Sequence, residues 1–177
     1  MPASDTNDRR CFLGGSDASA VIGLSPWATP LELWQQKTGR SEKRDDDPAA
    51  QRRYSRGHKL EPFIRDMVID KLRDMGLQVE LIASNARYAD EQYPFFSCEI
   101  DFELLLTGEV PIGDEIVMFD GEHVNADAKS VSGFARKKWG DENTEDVPIE
   151  YAAQFMFGLG ITGRRLWRWL CAPSPWH

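Results

Sequence analysis

The chain has 177 residues, 41% apolar and 28% charged, a balance that suits one globular domain with room for a core. It has no run of about 18 apolar residues, and Met1 to Arg10 lacks the apolar stretch of a secretory signal; a cytoplasmic location is the expectation. The net charge of -8 argues against nonspecific clamping on a polyanion, and three cysteines without a CxxC pair suggest neither a zinc knuckle nor a disulfide framework, only scattered, buried, reduced thiols.

Residues 1–10 read as a disordered N-terminus and 11–177 as a single domain. Ser16 to Ile22 suits a short helix, with Ser16 or Asp17 able to cap it. Thr29, Pro30 and Glu32 form a strong helix start, with Leu31, Leu33 and Trp34 as its apolar surface and Gly39 as its end. After a charged linker, Arg40 to Pro48, a longer helix is expected over Ala49 to Met75, with a break near Gly57. Leu60, Phe63, Ile64, Met67, Val68, Leu72 and Met75 recur along it at helical spacing.

From Leu77 the period changes to two. Val79, Leu81 and Ala83 share one strand face. Phe96, Cys98, Ile100, Phe102 and Leu104 share another, opposite Ser97, Glu99, Asp101 and Glu103. Glu115 to Phe119 and His123 to Val131 read as two more strands, joined by a hairpin turn at Asp120-Gly121. A basic helix over Gly133 to Trp139, a helix from Pro148 to Ile161 closed by Gly163, and a strand over Leu166 to Cys171 complete the order. Helices, then strands, then helix and strand describe an α/β or α+β sheet flanked by helices. Trp34 and Trp139 are expected as core anchors, and His58 and His123 as surface residues. Basic residues cluster at Arg52, Arg53, Arg56, His58 and Lys59, at Arg136 to Lys138, and at Arg164, Arg165 and Arg168, positions equally suited to DNA or to a solvated helix face.

The informative segment is Asn125-Ala126-Asp127-Ala128-Lys129. On a strand, Asp127 and Lys129 project from one face. An acid can hold a divalent cation, while an amine beside it can position the attacking water or steady charge on a phosphate. Asp101 adds a second acid on the polar face of a neighbouring strand, and two carboxylates suit Mg²⁺, which keeps several waters. Alone, Asp-x-Lys is also what any half-exposed alternating strand produces.

Four further stretches surround that segment: Gly14-Gly15-Ser16-Asp17-Ala18-Ser19-Ala20, followed by Ile22 to Trp27; Arg56-Gly57-His58-Lys59-Leu60-Glu61-Pro62-Phe63; Glu99-Ile100-Asp101; and Val147-Pro148-Ile149-Glu150-Tyr151-Ala152-Ala153-Gln154, ending at Thr162-Gly163. Together with Asp127-Ala128-Lys129, in this order, they resemble the YqaJ-like viral recombinases, a family that includes the lambda-type exonucleases of the PD-(D/E)XK superfamily. The resemblance spans about residues 9 to 163.

It implies a restriction-endonuclease-like core, a mixed sheet with helices on both sides, and a 5′-to-3′ exonuclease acting on linear double-stranded DNA in phage-type recombination. It implies Asp101, Asp127 and the carbonyl of Ala128 as ligands of Mg²⁺, with Mn²⁺ able to substitute, and Lys129 as the catalytic lysine. Glu61 would be the helical acid that binds the metal or its water, and Gln154 the glutamine beside the active site. Ser16, with Arg9 or Arg10, would hold a DNA 5′-phosphate; a hydroxyl near a helix start suits an anion. Implied partners are DNA ends, a single-strand annealing protein and further copies of the chain.

Two features depart from the family. The acid of the Asp-x-Lys pair is more often Glu, although the motif admits both. Trp167 to His177 does not read like the strand and helices with which relatives continue, as in a chain shortened at its C-terminus. Two other readings stand beside this one: another PD-(D/E)XK endonuclease, or an inactive prophage remnant that binds DNA or a partner. An iron–sulfur variant of the fold would need four cysteines.

Overall fold

The computed structural model describes residues 8–41, 48–112, 115–131, 136–139, 146–164 and 167–173. Four helices, α1 (Gly15–Val21), α2 (Pro30–Lys37), α3 (Pro48–Asp74) and α4 (Ile149–Thr162), accompany four strands, β1 (Gln78–Ala89), β2 (Ser97–Ile112), β3 (Glu115–Val131) and β4 (Trp167–Pro173). Short 3-10 turns cover Arg9–Cys11 and Arg136–Trp139. The strands form one sheet in the order β1-β2-β3-β4; β2 and β3 are antiparallel, whereas β3 and β4 are parallel. This mixed sheet, with its helices, is the α/β architecture expected from the order of elements. No described helix is long and apolar enough to cross a membrane.

The chain divides into two compact units, each assembled from three stretches. The second (Asp46–Ala86, Ile100–Gly133, Arg164–His177) holds α3 and most of the sheet. Its core joins Ile64, Val68, Ile69 and Leu72 of α3 to Phe102, Leu104 and Leu106 of β2 and Val124, Ala126 and Ala128 of β3. Phe102 lies opposite Ala126, and Leu104 opposite Val124. Even-numbered positions therefore face the core, and odd-numbered Asp101, Glu103, His123, Asn125, Asp127 and Lys129 share the other face.

Two expectations fail here. Asp120-Gly121 is no hairpin turn, and β3 runs unbroken through it. Leu106 pairs with Glu122 and Thr107 with Asp120, so Gly121 is an extra residue in a β-bulge, at φ +66. The bulge reverses the phase of burial: before it the inward residues are odd-numbered Val117 and Phe119, after it even-numbered Val124 and Ala126. A phase change in the alternation looks like a strand end when only the sequence is read. Nor does α3 break near Gly57; it also runs on through Pro62. A single helical glycine costs only about 1 kcal/mol, less than the apolar stripe beyond it returns. Phe63 and Met67, expected in that stripe, are 61% and 52% exposed, while Ile69 is buried in their place.

The first unit (Met1–Asp45, Arg87–Glu99, Phe134–Gly163) is built on α1, α2 and α4. Gly15 of α1 lies so close to α4 that a Cβ there would stand 3.2 Å from Gln154 Cγ. Neither Ser16 nor Asp17 is the cap of α1: Gly14 is, and Asp17 reaches back to accept its N–H at 2.9 Å. The capping box of α2 is as expected, with Thr29 Oγ1 accepting from Glu32 N at 3.2 Å and Glu32 Oε2 from Thr29 N at 2.8 Å. Trp139 is buried against Tyr151. Trp34 is not the expected core anchor; half exposed, its ring carries the Arg40 guanidinium 4.7 Å from its centroid, and Leu31 beside it is also exposed. Arg9–Cys11 form a 3-10 turn capped by Asp8, where an unstructured segment was expected. Cys98 is buried as expected, but Cys11 is exposed. The linker at 42–47, part of the basic helix at 132–135 and the last residues, 174–177, lie outside the described residues.

Gly121→Ala should destabilise the protein by about 1–2 kcal/mol, the cost of a left-handed non-glycine residue, because open space around Gly121 leaves strain as the only penalty. Urea unfolding measures it. An unchanged midpoint would show that β3 keeps its register without a left-handed residue.

Candidate active site

In the second unit, the odd-numbered face of β2 and β3 gathers the expected acids. The β2–β3 ladder begins at Phe102–Ala126. Beyond that pair the N–H of Ala128 donates instead to Asp101 Oδ2 at 2.7 Å. Lys129 Nζ lies 2.9 Å from Asp127 Oδ2; the Asp127 side chain is 1% exposed and that of Lys129 21%. Glu61 projects from α3, its Oε1 3.0 Å from Nδ1 of the exposed His58. Asp101, Asp127, Ala128, Lys129 and Glu61 thus come together as neighbours.

The electrostatics follow from that gathering. Burial pushes the Asp101 carboxyl up to about 7, and the negative charges of Asp127 and Glu61 push the same way, against the Lys129 ammonium and the Ala128 N–H. Among the described residues, no group of three or more His, Cys, Asp or Glu side chains is gathered closely enough to hold a metal on its own. Mg²⁺ does not require such a cage, because one or two carboxylates and several waters satisfy it. Two hard oxygen donors on neighbouring strands, one of them disfavoured in its charged form by burial and by adjacent acids, fit such a cation.

The same face carries a second cluster that sequence reading missed. Glu103, 2% exposed, meets Arg164 Nη2 at 2.8 Å and His123 Nδ1 at 2.5 Å through Oε1. Arg164 Nη1 also donates to the buried Asn125 Oδ1. Strand parity could have flagged Glu103 and Asn125, each two residues from an expected ligand. Arg164, read from the sequence as part of a basic cluster for DNA or a solvated face, is instead drawn inward to Glu103, a pairing nothing local indicates.

The remaining site residues belong to the first unit. Arg9 Nη2 donates to Ser16 Oγ at 2.6 Å. Arg10 turns to Asp8 instead, with contacts of 2.7, 3.0 and 3.1 Å. That exposed pair draws the Asp8 carboxyl down to about 2 and raises Arg10 above its usual value, the hydrogen bond between them being the main cause of both. Of the two arginines, Arg9 is the one that stands with Ser16. Gln154 lies on α4 against Gly15, the residue before Ser16.

A mixed α/β sheet with two acids and a lysine on one strand face defines a class of arrangement suited to metal-assisted chemistry. Within it, the chain belongs to the family of the YqaJ-like viral recombinase domain, which matches residues 6–165. It is 26% identical over 156 residues to the uncharacterized protein YqaJ of Bacillus subtilis strain 168, a match covering 88% of this chain and 41% of that relative. The fold is similar to that of the alkaline exonuclease LHK-Exo from Laribacter hongkongensis (TM-score 0.56, 16% identity, 96% of this chain and 73% of that one). The same enzyme in complex with dAMP gives a TM-score of 0.55 at 17% identity, with the same coverage.

Because the folded-state pKa of Asp101 lies above its unfolded value, the folded protein binds that proton more tightly than the unfolded chain does. The associated stability is full below about pH 4 and is lost as pH rises through about 7. Without divalent cation, Asp101→Asn should therefore gain on wild type between pH 4 and pH 8 by about 2–4 kcal/mol. Chemical unfolding in EDTA at both pH values reads this. A constant difference would mean that Asp101 ionises as freely in the fold as in water.

Proposed function

We propose that this chain is a Mg²⁺-dependent deoxyribonuclease, a 5′-to-3′ exonuclease that hydrolyses phosphodiester bonds at the ends of linear double-stranded DNA during phage-type recombination. The observation that carries this reading is the convergence of Asp101, Asp127 and Lys129 on one strand face with Glu61 beside them. Family membership supports it, and so does a fold shared with an alkaline exonuclease that has been solved with dAMP.

Asp101, Asp127 and the carbonyl of Ala128 would hold Mg²⁺. When bound, the cation supplies Lewis acidity and lowers the pKa of a coordinated water. The ammonium of Lys129, beside Asp127, would steady negative charge on the scissile phosphate or orient the attacking water. Glu61 can accept a hydrogen bond from that water or join the metal site. Gln154 is assigned a role in the reaction by its motif, and Ser16 with Arg9 is assigned the 5′-phosphate of the DNA end. Arg10, committed to Asp8, is the less suited of the two arginines for that role. A single-strand annealing protein and further copies of the chain are the proposed partners.

The chain should degrade labelled linear duplex with Mg²⁺, and with Mn²⁺ in its place, but not in EDTA, and should leave covalently closed circles intact. Asp127→Asn and Lys129→Ala should each lower the rate by about 100-fold or more, the scale of losing one preorganised charge at the reacting centre. Cleavage in EDTA, or full activity in Asp127→Asn, would remove the reading; cleavage of closed circles would make the protein an endonuclease.

A further inference from the structure

Lys37, at the end of α2, has no part in the chemistry described so far, yet all three of its donors are engaged. Its Nζ lies 2.7 Å from the carbonyl of Arg9, 2.8 Å from that of Phe12 and 2.6 Å from Asp17 Oδ2, with its side chain 16% exposed. The two carbonyls bracket the 3-10 turn Arg9–Cys11, so one ammonium binds both ends of the segment that carries Arg9. The Phe12 ring is held in turn, with the Arg87 guanidinium 3.8 Å and Lys37 Nζ 5.4 Å from its centroid. Asp17 is the second element. Its Oδ1 lies 3.8 Å from Arg9 Nη2, where an uncompensated carboxylate would repel an incoming anion. The contact with Lys37 offsets that charge. Arg9 is left with its side chain 66% exposed, one nitrogen on Ser16 Oγ and the rest of its fork open to solvent.

We propose that Lys37 is a positioning residue for the terminal 5′-phosphate of DNA, acting through Arg9 and Ser16: it locks the Arg9–Cys11 turn and neutralises Asp17, so that the guanidinium and hydroxyl present a cationic, preformed anion site. The inference rests on the reading of Ser16 and Arg9 as the phosphate-binding pair. It assigns the specificity for a phosphorylated end to a residue that touches neither the phosphate nor the reacting atoms.

Equilibrium binding of short duplexes with 5′-phosphate or 5′-hydroxyl ends, measured in EDTA, tests it without cleavage. Wild type should bind the phosphorylated end about ten-fold tighter, the scale of a charge-assisted hydrogen bond. Lys37→Met should reduce that ratio to about two-fold or less. Lys37→Arg keeps the charge, but its planar fork does not match three convergent acceptors, so it too should lose most of the ratio. Thr29→Ala removes the cap of the same helix at a cost of about 1 kcal/mol without touching Lys37, and should keep the ten-fold ratio. If both Lys37 variants keep the ratio, or if Thr29→Ala loses it equally, Lys37 only supports α2 and the inference falls while the phosphate site stands. A wild-type ratio near one would remove the phosphate site itself, and this inference with it, leaving the Asp101–Asp127 site untouched.

Discussion

The arrangement depends on keeping carboxylates together in a place where they repel. Asp127 is almost wholly buried, Asp101 is buried enough for its proton to be held to about pH 7, and Glu61 adds a third negative charge. Such a gathering is unfavourable in itself. The fold holds it through two features of β3: the N–H of Ala128, free of the β2–β3 ladder, and the ammonium of Lys129, on the same face as Asp127. Both depend on register. Slipping β3 by one residue would turn Asp127 and Lys129 into the core and Ala126 and Ala128 out of it.

That register is secured from the apolar side. Phe102, Leu104 and Leu106 interlock with Val124 and Ala126 under the stripe of α3, and the bulge at Gly121 lets the distal half of β3 keep its own apolar residues inward. The core and the candidate site thus share one strand pair, split between its faces. Further along the polar face, Glu103, Asn125, His123 and Arg164 satisfy one another, and the Arg164–Glu103 pair keeps a further acid, two residues from Asp101, neutralised.

The first unit shows the same economy on a smaller scale. From the first turn of α1, Asp17 accepts the N–H of the cap residue Gly14, anchors Lys37 and approaches Arg9. One carboxylate thereby ties a helix start, a helix end and a turn together. Among the described residues, acids paired inside the protein, such as Asp17 with Lys37 and Glu103 with Arg164, do not present bare charge at the surface.

What the sequence determined by itself is what repeats at short range. The capping box at Thr29, the apolar stripe of α3, the alternation through Phe102 and Leu104, and the common face of Asp127 and Lys129 follow from periods of 3.6 and 2, which local stereochemistry imposes wherever they occur. Motif order added Asp101, Glu61, Ser16 and Gln154 as expected site residues. Tertiary structure decided the rest. Gly121 became a bulge, because only pairing with β2 reveals an extra residue. Arg9 and not Arg10 met Ser16, because Asp8 captured the other guanidinium. Trp34, Leu31, Phe63 and Met67 stayed exposed although their spacing suited burial, since a helix stripe buries only where another element covers it. Lys37 and Arg164 found their partners across 20 to 61 residues of chain. A contact at that separation leaves no periodic trace in a single sequence; it exists only once packing has brought the segments together.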